Sequence, residues 1–246
     1  MVPGQQCLRA MRIGLFSDVH SNLAGLLAVA NEFEREGRID HVVVAGDHLW
    51  GGPRPREVWR LLNGSGWTLV LGNADETLVA QTVDQDFPPG SRYRSAAIRQ
   101  RDWLRSQLDP SDLNALAELP TQHRIATPAG DLLVVHSSPR STIDRCGGPH
   151  NSSEEVETAY SGTGASAIAF GHWHAAFVRQ TPFALLLNVA SVGLPMDGRP
   201  LAAYTILTGT RGGWIVEQRR VAYDPEEEQW AARSAGLPEW VPDSAH

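Results

Sequence analysis

Short apolar runs, each followed directly by polar residues, recur along this chain of 246 residues. The first three runs lie at residues 13–16, 42–44 and 69–71. Runs of this length, bounded by Gly and polar residues, are typical of buried strands. Between them, residues 22–36 carry apolar positions at helical spacing, and Pro55 opens a second helical segment. This alternation predicts a largely parallel sheet with right-handed helical crossovers.

The second half of the chain has a different pattern. Apolar runs at residues 132–135 and 167–170 again precede polar residues. Four later strands are short and are separated by Pro and Gly turns, at residues 177–180, 184–189, 201–207 and 214–219. Such spacing is typical of antiparallel pairing. The two halves together predict an α/β protein with two mixed sheets packed face to face and flanked by helices.

Two segments interrupt the alternation of strands and helices. Residues 82–119 contain a Pro-Pro-Gly break and two helical patterns, and residues 140–163 are rich in Gly and Ser. We expect both to form helical, cap-like insertions over the ends of the strands. Residues 12–220, including these insertions, are expected to form a single domain, and residues 1–11 and 224–246 are expected to be terminal extensions.

Seven polar residues follow the apolar runs, and all have side chains that bind metals. They are Asp18, His20, Asp47, Asn73, His136, His172 and His174. Residues i and i+2 of an extended segment point the same way, so Asp18 and His20 can face one site. In α/β sheets ligands gather outside the carboxyl ends of the strands, where we expect all seven residues to meet.

The chemistry and the number of these residues predict a centre with two metal ions. Carboxylate, amide and imidazole groups suit a borderline divalent ion such as manganese, iron or zinc. Seven ligands are too many for one ion, whereas two ions that share one carboxylate fit the count. Paired ions about 3.5–4 Å apart are the usual apparatus for in-line displacement at phosphorus.

The order of the motifs resembles that of the calcineurin-like metallophosphoesterases, whose pattern runs DxH, GDxxxxGP, GNH[DE], H and GHxH. In this chain the motifs begin at Asp18, Gly46, Gly72, His136 and Gly171. Residues 188–195 also look like the strand and turn that this family places near its second pair of metal histidines. The resemblance covers roughly residues 12–220 and implies a four-layer α/β/β/α sandwich.

The resemblance also implies a role for each ligand. The first ion is expected to be held by Asp18, His20, Asp47 and His174. The second ion is expected to share Asp47 as a bridge and to be held also by Asn73, His136 and His172. A water between the ions would lose a proton at a pKa of about 7, and the hydroxide would attack a phosphodiester or phosphomonoester in line. The residues expected to carry the chemistry are Asp47, Asn73 and His172.

One position departs from the family pattern. Many members carry His after the Asn of the third motif, where it is thought to protonate the leaving group or hold the phosphate, and this chain has Ala74. Asp75, which would orient that His, is then expected to lack its partner, or simply to favour the start of a helix. His48 or His150 could supply the proton instead. The change favours phosphodiesters with good leaving groups.

Candidate substrate contacts lie in loops that could border the metals. They are Arg140, Arg54, His48 and His150. A basic cluster is either a solvated helix face or a grip on a second phosphate, and it comprises Arg92, Arg94, Arg99, Arg101 and Arg105.

Composition narrows the class of protein. The net charge of −7 argues against binding nucleic acid other than a small nucleotide. No apolar run approaches the ~20 residues of a membrane span, and the N-terminus has no signal-peptide core, so we expect a cytoplasmic protein without a membrane partner. Cys7 and Cys146 are expected to be free thiols. The 21 basic residues are all Arg, and the lack of Lys excludes Schiff-base chemistry.

The leading hypothesis is therefore a metal-dependent phosphoesterase that acts on a small phosphate ester. One alternative is a protein-interaction scaffold on the same fold with vestigial catalysis, against which the full ligand set argues. The other is a protein Ser/Thr phosphatase, for which the chain lacks obvious substrate-recognition segments.

Overall fold

The first sheet contains the parallel strands that the sequence predicts. In the computed structural model, which describes residues 9–241, its strands are β1 (Met11–Phe16), β2 (His41–Val44), β3 (Thr68–Leu69), β9 (Ala202–Thr210) and β10 (Gly213–Val221). Their order is β10-β9-β1-β2-β3. The neighbours β1, β2 and β3 are parallel, whereas β9 is antiparallel to both β1 and β10.

The second sheet also has five strands. They are β4 (Gln122–Thr127), β5 (Gly130–Val135), β6 (Ala167–Phe170), β7 (Ala176–Gln180) and β8 (Leu185–Val189). Their order is β4-β5-β6-β8-β7. The antiparallel pairing predicted for the late strands is confirmed for β7 with β8 and for β9 with β10. In addition, β8 pairs in parallel with β6, which the turn spacing did not predict.

The helices begin where the local sequence favours a helix start. They are α1 (Leu23–Arg35), α2 (Pro55–Gly64), α3 (Asn73–Val79), α4 (Arg94–Ser106), α5 (Pro110–Ala117), α6 (Ser153–Tyr160) and α7 (Pro225–Ala235). Asn22 caps α1 by accepting a hydrogen bond from Gly25 N at 2.8 Å. Pro55 and Pro110 lie in the first turn of α2 and α5, where a missing N–H costs nothing.

Four layers follow from the alternation of side chains along the strands. Ile13 and Leu15 of β1 pack between the two sheets, together with Leu132 and Val134 of β5. Phe16, on the opposite face of β1, packs against helices on the first sheet. A second helical layer, chiefly α6, packs on the outer face of the other sheet. The predicted α/β/β/α sandwich is therefore confirmed.

The helices of residues 82–119 pack in the outer layer on the first sheet. Leu104 of α4 and Leu116 of α5 are fully buried in the same cluster as residues of α1 and α2. Of this segment, residues 85–87 line the pocket that lies beside the predicted ligands. No helix in residues 9–241 combines the length and apolar content of a membrane span.

The segment after β10 is tied into the fold. Glu228 of α7 is buried, and its Oε1 accepts hydrogen bonds from Ala24 N at 2.8 Å and from Arg54 at 2.9 Å. Farther on, Gln100 donates to Pro238 O at 3.1 Å. Cys146 is a free thiol, as predicted, whereas Cys7 lies outside the described residues.

Candidate metal centre

The structure brings all seven predicted ligands together at the carboxyl ends of the strands. From the first sheet and the start of α3 come Asp18, His20, Asp47 and Asn73. From the second sheet come His136, His172 and His174. The site therefore lies across the junction of the two sheets. Metal binding by these residues remains a prediction.

Four of the seven residues form a first group. Asp18, His20, Asp47 and His174 each offer a ligand atom within 4.8 Å of the others. His174 Nε2 lies 3.0 Å from Asp18 Oδ1 and 3.3 Å from His20 Nε2. Asp47 Oδ2 lies 3.8 Å from His20 Nε2.

The other three residues form a second group around the Asn73 amide. Asn73 Oδ1 lies 2.9 Å from His136 Nε2 and 3.0 Å from His172 Nδ1. Asp47 Oδ1 lies 3.4 Å from His136 Nε2. The two oxygens of Asp47 thus face different groups, as a bridging carboxylate would.

Hydrogen bonds to main-chain carbonyls fix three of the histidine rings. His20, His136 and His174 each donate Nδ1–H to a carbonyl at 2.7 Å, respectively that of Trp50, Ala45 and Leu194. Because a carbonyl only accepts, Nδ1 carries a proton and Nε2 is the ring nitrogen that faces the site. This is the arrangement that orients metal-binding histidines in proteins.

The backbone at the site adopts unusual conformations. Five of the seven candidate ligands have positive φ angles between 51° and 67°, namely Asp18, His20, Asp47, His172 and His174. Residues other than Gly rarely adopt this region, and such residues cluster at functional sites. Gly171 allows the two sheets to approach, because a Cβ there would overlap Ser17 Oγ and Asp18 Oδ2.

The charges of the group are strongly coupled. Burial raises the pKa of Asp47, but the neighbouring His136 outweighs it and holds that pKa well below its usual range. Burial lowers the pKa of His136, but Asp47 and Asp18 outweigh it and raise the pKa to about 10. Burial and the nearby His136 lower the pKa of His172 to about 4. The carboxylates therefore attract positive charge, which protons or metal ions can supply.

The residues fit a divalent metal. Asp18 Oδ1 is buried and lies near His174 Nε2, yet it accepts no hydrogen bond within the described residues. Two imidazole Nε2 atoms, of His20 and His174, also face each other. Lone pairs that converge without being paired to donors are what a cation would satisfy, and the Asp, Asn and His set suits manganese, iron or zinc.

An open pocket of about 310 Å³ lies beside the two groups. Four candidate ligands line it, namely His20, Asp47, Asn73 and His172. Its lining also includes Trp50, Ala74, Asp86, Phe87, Ile143 and Arg145. Asp86 Oδ1 accepts a hydrogen bond from Asn73 Nδ2 at 3.1 Å, which turns the amide oxygen of Asn73 toward the histidines.

Sequence reasoning missed Trp50, Asp86, Phe87 and Arg145. Trp50 lies within the second motif, three residues after Asp47, so its place near the site could have been predicted from the motif. Asp86 and Phe87 directly precede the Pro-Pro-Gly break. Arg145 lies in the loop that contains Arg140, but nothing in the sequence distinguishes the two arginines.

None of the four predicted substrate contacts lines this pocket. Arg54 pairs with Glu227 and Glu228 of α7 at 2.9 Å. Arg140 pairs with Asp144 at 2.8 Å and lines a neighbouring polar cavity of about 320 Å³.

The two histidines predicted to contact the substrate, His48 and His150, also lie outside the pocket lining. His150 is exposed and is not part of the pocket lining, whereas His48 is fully buried. His48 Nδ1 lies 2.6 Å from Asp75 Oδ2, and His48 N donates to Asp75 Oδ1 at 2.9 Å. The expectation that Asp75 lacks a partner is therefore wrong, because a histidine from the preceding motif has taken that place.

The arginine cluster mainly fastens its own segment. Arg94 donates to Phe87 O at 2.6 Å, and Arg105 donates to Leu78 O at 2.7 Å. Arg101 donates to Gln81 O at 2.9 Å. Because these arginines are bound to main-chain carbonyls, the bonds argue against a role of the cluster in binding a second phosphate.

Known proteins resemble this chain over most of its length. A metallophosphoesterase from Sphaerobacter thermophilus is 28% identical, with a TM-score of 0.72 over 94% of this chain and 96% of that one. An uncharacterized protein of Methanocaldococcus jannaschii is 26% identical over 93% of this chain and 95% of its own. A hypothetical protein from Pyrococcus horikoshii OT3 is 16% identical and shares the fold, with a TM-score of 0.79 over 96% of this chain and 100% of that one.

The family comparison agrees with the motifs and the layers. The model of the calcineurin-like phosphoesterase superfamily domain matches residues 11–211, which include all seven candidate ligands. The chain therefore belongs to the calcineurin-like phosphoesterase superfamily and is a metal-dependent phosphoesterase of that family.

Proposed function

We propose that this phosphoesterase holds two divalent ions, with manganese among those that support activity, and hydrolyses phosphodiesters. One observation carries the proposal. Asp47 directs one oxygen toward His20 and the other toward His136, so two separate groups of ligands share one carboxylate. A single ion would leave one group of buried polar atoms without a cation.

The reaction replaces one ester bond of the phosphodiester. The bond from phosphorus to the leaving oxygen breaks, and water supplies both the new oxygen on phosphorus and the proton on the released alcohol. Bound divalent ions would neutralise charge on the phosphoryl oxygens and acidify water. The chain contributes by holding Asp47, Asn73 and His172 in fixed positions against the pocket.

Preference for diesters is supported by what surrounds Ala74. Ala74 offers no side chain that could give a proton to the leaving oxygen, and its N–H donates to Asp47 Oδ1 at 2.9 Å. The only histidines that line the pocket, among residues 9–241, are His20 and His172, both candidate ligands. Esters whose leaving group needs little help from an acid are therefore favoured.

The experiment combines metal analysis with hydrolysis of an activated aryl phosphodiester. Protein stripped by a chelator and reloaded with manganese, iron or zinc should contain two ions per chain and turn over the diester. Asp47→Ala should lose both ions and reduce kcat/KM by at least about 100-fold, because removing even an outer partner of a metal ligand costs 10–100-fold.

The matched control is Asp131→Asn, which removes an exposed carboxylate paired with Arg124 away from the pocket. It should keep both ions and full activity. One ion per chain in fully loaded protein would contradict the two-ion centre. If no metal supported turnover and the protein instead bound a protein partner tightly, the scaffold hypothesis would replace ours.

A further inference from the structure

A run of aromatic rings leads away from the candidate metal centre. The rings of Trp50 and Phe87 are nearly parallel, at 18° and 6.3 Å between centroids. Phe87 meets Trp240 edge-on at 5.3 Å, and Trp240 stacks on Tyr93 at 5.5 Å and 12°. These rings come from three separate stretches of the chain, around residues 50, 87–93 and 240, so their alignment is a product of the fold.

The inner end of this run forms part of the pocket. Trp50 and Phe87 line it together with Asp47 and Asn73. Trp50 is buried and Phe87 is half-buried, and both present apolar surface to a pocket whose lining also includes Ile143 and several polar or charged residues. Aromatic faces placed in this way bind planar ring systems, and stacking of a nucleobase on such a side chain is strong and tolerant of the base's identity.

Ala74, the neighbour of Asn73 in the chain, is another residue of the pocket lining. A larger residue at this position would project a side chain into the pocket, whereas the methyl group leaves space beside Asn73. The volume of about 310 Å³ is at the lower end of the roughly 300–1,000 Å³ of small-molecule sites. The pocket therefore suits a ligand arm with one ring system.

The pocket lining also contains one arginine side chain, that of Arg145. Arg145 is exposed at the pocket and forms no hydrogen bond or ion pair with any residue between 9 and 241. Arg140 and Arg54, in contrast, are held by carboxylates. A guanidinium without a protein partner beside the metal ligands is available to contact phosphoryl oxygens.

We propose that this pocket selects phosphate esters that carry an aromatic ring, such as a nucleobase or an aryl group, on one ester arm. The ring lies against Trp50 and Phe87, and Arg145 contacts the phosphoryl oxygens. This inference rests on the proposed phosphodiesterase function and specifies its substrate class.

The test compares esters that differ only in the ring. One pair is the 2,2,2-trifluoroethyl ester of thymidine 5′-phosphate and that of 2-deoxyribose 5-phosphate. The other pair is 2-phenylethyl trifluoroethyl phosphate and 2-cyclohexylethyl trifluoroethyl phosphate. Within each pair the leaving groups have similar acidity, so a difference in kcat/KM reports recognition of the ring. The first pair represents nucleobases and the second represents simple aryl groups.

Phe87→Leu should lower kcat/KM for the aromatic member of at least one pair by about tenfold, the size expected for loss of stacking on one ring. The ring-free member should lose less, so that the ratio of the two kcat/KM values falls. Phe183→Leu is the matched control, because Phe183 packs on the outer helical layer of the second sheet. That variant should behave like the natural protein.

The outcomes separate the two proposals. Equal hydrolysis of both members in both pairs would overturn ring recognition and leave the phosphodiesterase proposal intact. If no diester were hydrolysed with any metal, calorimetric binding of thymidine 5′-monophosphate and of 2-deoxyribose 5-phosphate would decide the matter. Tighter binding of the nucleotide that is lost in Phe87→Leu would support ring recognition alone, and equal binding would overturn it.

Discussion

At the scale of single residues, the candidate metal centre depends on backbone conformations that most side chains avoid. A residue other than Gly in the left-handed region costs about 1–3 kcal/mol when the surrounding structure enforces it. Asp18, His20 and Asp47 all lie there, each one to four residues beyond the end of a strand of the first sheet. Packing of the two sheets offsets this strain. The left-handed backbone directs the three side chains into the junction between the sheets.

A glycine of the second sheet is as important as the ligands. We predict that Gly171→Ala will weaken metal binding and reduce kcat/KM by about 100-fold, because the new methyl group would overlap Asp18 Oδ2 and Ser17 Oγ. Metal titration and kinetics on the same preparation measure both effects. Gly64→Ala is the control, because a Cβ there meets no atom within 4 Å. Unaltered metal binding in Gly171→Ala would show that Asp18 does not need this close approach.

The pairing of Asp75 with His48 could not be predicted from the sequence. The motif order and the apolar runs are local features, and they were sufficient to predict all seven residues that meet at the strand ends. The pairing of His48 with Asp75 joins residues 27 positions apart, and it depends on how two loops fold against each other. Arg54 likewise pairs with carboxylates 173 and 174 positions away, which no local pattern encodes.

At the scale of elements, α7 acts as a brace for the first helical layer. Glu228 accepts a hydrogen bond from Ala24 in the first turn of α1 and another from Arg54, the residue before α2. A run of three glutamates such as Glu226, Glu227 and Glu228 would ordinarily be a solvated face. The structure buries one of the three because the start of α1 and a cation meet at its position.

We predict that Glu228→Ala will lower the free energy of unfolding by about 1–2 kcal/mol, because it leaves the Ala24 N–H without its acceptor and removes one of the two carboxylates that pair with Arg54. Chemical denaturation gives the value. Glu226→Ala is a suitable comparison, since Glu226 is exposed in the same turn, and its change should stay below about 0.5 kcal/mol. Equal effects of the two substitutions would contradict the brace.

At the scale of the whole molecule, the candidate centre joins the two sheets. Asp18, His20 and Asp47 follow the first sheet, and the remaining histidines follow the second. Any cation held by both sets links the two layers of the sandwich. The inter-sheet core already holds the sheets together through apolar side chains such as Leu15 and Val134, so the centre adds a second, ionic connection at one edge.

We predict that metal binding will stabilise the fold and that the gain will shrink as the pH falls. Free metal at 100 times the dissociation constant adds about 2.7 kcal/mol per site. Without metal, the raised pKa of His136, about 10, means that its proton contributes stability below pH 6.5, and this contribution is lost as the pH rises toward 10. A metal ion must displace that proton, so the stability that metal binding adds to the fold increases with pH.

Thermal unfolding of stripped and manganese-loaded protein between pH 6 and 9 measures this difference. The gap between the two unfolding temperatures should widen with increasing pH. A gap that stayed constant or narrowed would mean that the ions do not replace the proton on His136.

The contact between Trp240 and Phe87 has a practical consequence for anyone who purifies this protein. Trp240 lies six positions before the last residue of the sequence, and its ring meets the edge of Phe87 in the pocket wall. A fusion or truncation that displaces Trp240 would therefore remove the support of that wall. Substrate preferences measured on C-terminally tagged protein should be compared with those of N-terminally tagged protein before they are assigned to the enzyme itself.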